Sequence, residues 1–138
     1  MLNAGRRYYP DDMNRVRAAA LVGCLAVFAC TESLSPEDYY GVWGGDGARL
    51  TLSITRALFE TSCWTGELGV PIQVDDEKFT AIGNIQSQGG AVGGNETRAV
   101  ILFGRLDGDV MRLTVETSPA LGPYNLRRGA DVSIPGCP

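Results

Sequence analysis

The 138-residue chain predicts a small all-β domain, an antiparallel up-and-down barrel of about eight strands, with a two-sheet β-sandwich as the alternative. Three observations carry this expectation. Short segments alternate between apolar and polar residues, turn residues recur about every ten positions, and no helical period appears after residue 30. Closure into a barrel is preferred because it leaves no strand edge unpaired.

The strands follow in chain order. The first covers residues 40–44. Residues 48–56 alternate strictly, which places Leu50, Leu52 and Ile54 on one face and Arg49, Thr51, Ser53 and Thr55 on the other. Residues 58–63 alternate around Phe59 and Thr61, and Trp64-Thr65-Gly66 reads as a turn into a strand over 67–74. After the acidic turn Asp75-Asp76-Glu77-Lys78, residues 79–86 set Phe79, Ala81, Gly83 and Ile85 on one side. Residues 98–106, with Ala99-Val100-Ile101-Leu102-Phe103 at their centre, pair with 110–117 across Asp107-Gly108, a strong hairpin signal. In the partner strand Met111, Leu113 and Val115 face inward, and residues 123–127 form the last strand.

An eight-stranded barrel is just wide enough to be filled by its own side chains or to hold one small ligand. Leu52, Phe59, Phe79, Phe103 and Met111 are therefore candidates both for the core and for contact with a small apolar guest. The glycine-rich stretch 88–95 lacks the Gly-Lys-Ser/Thr ending of a phosphate loop and reads as a flexible connection.

The N-terminal region reads as an address. Residues 18–29 are twelve uncharged, mostly apolar residues behind Arg15 and Arg17, too few for a span of about 17 to 25 residues but within the range of a secretory signal. Residues 1–12 are read as a start-site extension, 13–29 as the signal peptide, 30–38 as a polar tether and 39–138 as the barrel domain. Two cysteines compete as the lipid attachment site: Cys24 has the better local motif, and Cys30 has the full apolar run before it, which decides for Cys30. Cleavage before Cys30 without lipid is the plainer alternative. The expected place is the bacterial cell envelope, outer membrane or periplasm, with the membrane met only through the lipid.

With the signal removed, Cys30, Cys63 and Cys137 remain, an odd number in an oxidising compartment. The count resolves if Cys30 takes lipid and Cys63 pairs with Cys137. Eight basic residues then face fourteen acids, a net charge of −6 that repels nucleic acid. The chain has no histidine and no closely spaced cysteine pair, so neither a metal site nor any cofactor is expected. Catalysis is not expected either: Glu60 and Glu116, the acids within strong strands, fall on the faces opposite the apolar residues. The expected partners are a small apolar ligand or an envelope protein, bound by a monomer. In the second case the chain would act as an interaction module or as an inhibitor of an extracytoplasmic enzyme, with recognition at the 89–94 loop and the Trp64 turn.

Gly41-Val42-Trp43 at the head of the first strand resembles the Gly-x-Trp signature of lipocalins and related calycin barrels. The resemblance implies that Trp43 closes one barrel end against an arginine of the last strand. Arg127 or Arg128 is placed to match, and Arg127 is taken as the barrel-end partner. The chain departs from lipocalins in its shorter length and in lacking a clear C-terminal helix and the second and third signature motifs. A longer stretch of the chain, from 41 to 138, resembles small exported bacterial proteins with no known activity, in Gly41-Val42-Trp43-Gly44-Gly45, Cys63, residues 108–115, residues 122–126 and Cys137. That resemblance also implies a bond between Cys63 and Cys137.

Overall fold

A computed structural model describes residues 32–89 and 95–138. The extension 1–12, the signal 13–29, Cys24, Cys30 and the glycines within 90–94 lie outside the described residues. A short 3-10 helix, Pro36–Tyr39, leads into nine strands: β1 Gly41–Gly45, β2 Ala48–Leu52, β3 Ala57–Thr61, β4 Trp64–Leu68, β5 Gln73–Asp75, β6 Lys78–Ser87, β7 Thr97–Asp107, β8 Val110–Glu116 and β9 Leu121–Arg128. The 3-10 helix thus begins inside the segment read from sequence as a tether.

All pairings are antiparallel between neighbours, and two further ladders, β1 with β9 and β4 with β6, close the sheet on itself. Strands β4 and β5 act as one stave. Leu68 faces Gly83 and Gln73 faces Thr80, so the four residues 69–72 oppose only Ala81 and Ile82. The excess bulges outward at Val70 and Pro71, both exposed. Counted this way, the molecule is a closed barrel of eight staves, the architecture expected from the sequence.

The tight turns explain the register. Asp46 and Gly47 (φ 50° and 74°) join β1 to β2, and Asp76 and Glu77 (φ 44° and 66°) join β5 to β6. Positive φ at both central residues is the signature of the type I′ turn, whose twist matches that of the strands. Gly108 (φ 60°) begins the two-residue connection of β7 to β8 and fixes Asp107 opposite Val110. Every second residue then faces the interior.

Leu50, Leu52, Phe59, Phe79, Ile85, Leu102, Met111, Leu113, Val115 and Leu126 form the buried centre, joined by Tyr39 and Trp43. Among the described residues no polar or charged side chain is buried. Gly104 shows how tightly the interior is filled: it faces Phe79 across the β6–β7 ladder, and a Cβ there would collide with the Phe79 ring. The ring occupies the space that a side chain at 104 would need.

Three expectations are corrected. Ile54 is 68% exposed, because β2 stops at Leu52 and Ser53 N–H donates to Arg56 O across a tight loop, 2.7 Å. Phe103 lies on the outer wall, since Val100, Leu102 and Gly104 take the inward positions of β7. Trp64 does not form a turn. It opens β4, and the turn is the pair Ser62-Cys63 just before it, tied by Trp64 N–H donating to Thr61 Oγ1 at 3.1 Å.

Replacing Gly104 with alanine should destabilise the protein by about 1 to 3 kcal/mol, the usual range for overpacking. Combining Gly104→Ala with Phe79→Leu should cost less than the sum of the two single changes. Thermal melts check this, and an unchanged melting temperature for Gly104→Ala would refute the packing described.

Candidate functional site

The chain's two tryptophans stand near opposite ends of the barrel, each covered by an arginine. At the end where β1 begins, Trp43 is fully buried and the Arg128 guanidinium lies 4.2 Å over its ring. The same guanidinium donates from Nη1 to Tyr40 O at 2.8 Å and from Nη2 to Asp38 O at 2.5 Å, which ties the 3-10 helix across the mouth. Trp43 Nε1 donates to Tyr39 O, 2.8 Å, and the Tyr39 hydroxyl donates to Glu77 O, 2.6 Å. The barrel-end arginine is therefore Arg128 and not Arg127. Leu126 is inward and fully buried, so the period of two turns Arg128 toward the mouth and Arg127 outward.

At the other end Arg98, which is on the inward side of β7, lies 4.4 Å over the Trp64 ring. Its Nε donates to Glu96 Oε1 at 2.7 Å. Each such stack contributes about 0.5 to 2 kcal/mol and also covers a mouth of the barrel with a planar guanidinium.

Four of the five residues named for a guest fill the space themselves. Leu52, Phe59, Phe79 and Met111 are at most 2% exposed, and Tyr124 extends the core with its ring 5.9 Å from that of Phe59. Burial pushes the Tyr39 hydroxyl above its ordinary pKa, with Asp38 and Glu77 adding to the shift and Arg105 opposing it. Tyr124 is raised too, by burial, against an opposing backbone hydrogen bond from Gly122.

Cys63 and Cys137 form a disulfide, S–S 2.03 Å, across a sequence separation of 74. The chain-entropy treatment gives about 4 kcal/mol for a loop of that size, as an upper figure. The bond anchors a C-terminal tail that crosses the outer wall over β1 and β2. Gly129 N–H donates to Val42 O, Arg49 Nη2 donates to Val132 O at 2.6 Å, and Val132 and the Ala130 carbonyl lie so close to Gly44 that a Cβ there would clash. Glu60 pairs with Arg49 on the same wall, 3.6 Å, and Glu116 is exposed on the outside of β8. Cys30 lies outside the described residues, and Gly89 is exposed at the edge of its loop.

The wall of β6, β7 and β8 carries what the sequence reading missed. Lys78 faces Arg105 and Arg105 faces Arg112, a row of three cations across three adjacent strands. Like charges directly opposite one another destabilise a sheet. Arg49, Arg56 and Arg98 pair with Glu60, Glu67 and Glu96, and Arg128 is held at the mouth. Among the described residues Lys78, Arg105, Arg112 and Arg127 form no ion pair. The row borders an open groove of about 270 Å³ lined by Lys78, Phe103, Gly104, Arg105, Arg112 and Thr114, none of them acidic. Lys78 Nζ lies 5.8 Å from the Phe103 ring centre. The Asp107-Gly108 hairpin could have revealed Arg105 opposite Arg112, because that turn fixes the pairing; Lys78 joins them only through the β6–β7 ladder. No protein-family model, curated protein or solved structure matches this chain, so the site is read from its own geometry.

Both tyrosine shifts are upward from 10.0, so the folded state holds its phenolic protons where the unfolded chain has lost them. Their contribution to stability is complete below the unfolded pKa and disappears as pH rises from there through the folded values. Urea melts should show stability flat from about pH 8 to 9.5 and falling above 10. Tyr39→Phe should lose about 1 kcal/mol at neutral pH, the hydroxyl's hydrogen bond, and show a shallower alkaline decline. Equal alkaline slopes in the two proteins would contradict this.

Proposed function

We propose that this chain is an exported, lipid-anchored, non-catalytic β-barrel of the bacterial envelope, which acts as an interaction module through its outer wall. The observation that carries the reading is the filled interior with an arginine–tryptophan pair near each end. A small-molecule carrier needs a concave site of roughly 300 to 1,000 Å³ that encloses its guest. Here the inward positions are occupied by the protein's own side chains. Three open grooves lined by described residues lie beside Glu32, Val74 and Glu77, beside Val70 and Ile82, and beside Phe103 and Arg112.

Export is supported by the Cys63–Cys137 bond, since disulfides persist outside the reducing cytosol, and by the signal pattern of residues 13–29. The anchor at Cys30 rests on that pattern alone. Reading the chain as a binding partner and not as a catalyst fits an absence of histidine and acids that sit on the solvent side of their strands. A rigid stapled barrel suits this role, because little conformational freedom is lost when its surface is covered.

Two measurements test the reading. The intact mass of protein made in a bacterial host should begin at Cys30 with diacylglycerol and acyl chains added, and no thiol should react until reductant is present. A mass retaining residues 13–29 would overturn the anchor. Titration of the full chain with a fluorescent fatty acid should show no saturable uptake. One-to-one binding that is undiminished when Arg105 and Arg112 on the outer wall are replaced by glutamine would place a ligand in the barrel and overturn the interaction reading.

A further inference from the structure

We propose that the groove over β6, β7 and β8 binds an extended, carboxylate-bearing segment of a partner protein. The proposal rests on the reading of this chain as an interaction module and names the chemistry of what it meets. The chain from residue 30 onward has a charge of −6, yet three of the four cations that form no ion pair among the described residues gather on this wall. The groove's own lining holds three cations and no acid.

The nearest carboxylates are at the margins. Glu77 directly precedes Lys78 and shares the surroundings of the Tyr39 hydroxyl with Arg105, Asp75 faces Lys78 across the β5–β6 hairpin, Asp107 is two residues beyond Arg105, and Glu116 is two rows from Arg112. None comes within ion-pair distance of the row. Asp46, the acid beyond the far end, is engaged by Asn125, whose N–H donates to Asp46 Oδ2 at 2.7 Å. Arg105 and Arg112 are therefore free to make forked hydrogen bonds to an incoming carboxylate.

The geometry favours a polypeptide. Adjacent strands lie about 4.8 Å apart, so the row spans roughly 10 Å, and alternate side chains of an extended peptide recur every ~6.8 Å. Two carboxylates at positions i and i+2 reach neighbouring cations with little strain in the long arginine side chains. Phe103, flanked by Thr80 and Thr114, forms the next row, and Ile82 (63% exposed) with Ile101 forms the one after it, ending at Glu116 on β8. A segment that carries acidic and apolar residues on the same face, at positions two apart, can use both kinds of row. A phosphate group or a sugar acid would use only the cations. The tail that covers β1 and β2 leaves this wall uncovered.

The test uses the full chain in detergent and a fluorescein-labelled nonapeptide with glutamate at positions 3 and 5, phenylalanine or valine at positions 7 and 9 and serine elsewhere, so that both kinds of side chain share one face, read by anisotropy. The peptide should bind, and binding should weaken as salt rises. The Arg105→Gln/Arg112→Gln double variant and the peptide with glutamine at every glutamate should each reduce affinity about tenfold or more. Arg127→Gln, outside the groove, should leave affinity unchanged; the substituted side chains all face solvent, and matching melts confirm that the variants fold. The proposal is overturned if the glutamate peptide does not bind, if the glutamine peptide binds equally well, if the double variant binds normally, or if inorganic phosphate at the peptide's own concentration displaces it. In each of these cases an interior that excludes the fatty acid leaves the interaction reading standing. Uptake of the fatty acid that the Arg105→Gln/Arg112→Gln variant retains overturns that reading whatever the peptide does.

Discussion

Closing the sheet between its first and last strands is the constraint on which the rest of this protein depends. The β1–β9 ladder has only two register pairs, Trp43 with Arg128 and Gly44 with Arg127, against nine between β6 and β7. Side chains supply what the ladder lacks. Arg128 is both a ladder residue and the cover over Trp43, and it reaches back to two carbonyls ahead of β1. At the other end of the same joint the Asp46 carboxylate accepts the Asn125 N–H, and a Cβ on Gly45 would collide with the Asn125 carbonyl. Beyond β9 the tail continues across β1 and β2 to the disulfide. The short ladder is thus reinforced by guanidinium, carboxylate and covalent links, each held by a residue of the barrel wall.

Closure at this size decides what the interior does. Eight staves leave room for side chains or for one small guest, and here large side chains take the room, with Phe79 extending over the space left by Gly104. Recognition is then displaced to the outside, where the tail occupies one wall and the cation row marks another. The row is a local conflict, three like charges in register on an acidic protein, within a structure whose other charges are paired or solvated. Such departures from local consistency are where binding surfaces are sought.

Much of the barrel was legible in the sequence because one face of each strand is buried and the other wet. Leu50 and Leu52, or Met111, Leu113 and Val115, declare their side by alternation alone. The stretch Ala99-Val100-Ile101-Leu102-Phe103 does not, being apolar on both faces, and so Phe103 was placed inward when Leu102 and Gly104 hold those positions. Arg127 and Arg128 are adjacent and identical in type, so only the phase set by Leu126 separates them. Ile54 continued a perfect alternation past the point where a backbone turn had already ended the strand. Trp64 looked like a turn residue because Ser62-Cys63 ahead of it is a weaker turn signal than the Gly66 after it. The cation row was invisible for a different reason: Lys78, Arg105 and Arg112 meet only through the register of two ladders.

Amide hydrogen exchange of the oxidised full chain tests the central claim most directly. Interlocked as described, the β1–β9 joint opens only with the whole barrel. The amides of Gly44, Arg127 and Gly129, which face across the joint, should then exchange within about tenfold of those of Leu102 and Leu113, as members of one cooperative unit. Exchange at the joint that is faster by several orders of magnitude, with β6 to β8 still protected, would show a barrel that opens along its first and last strands and would contradict the account.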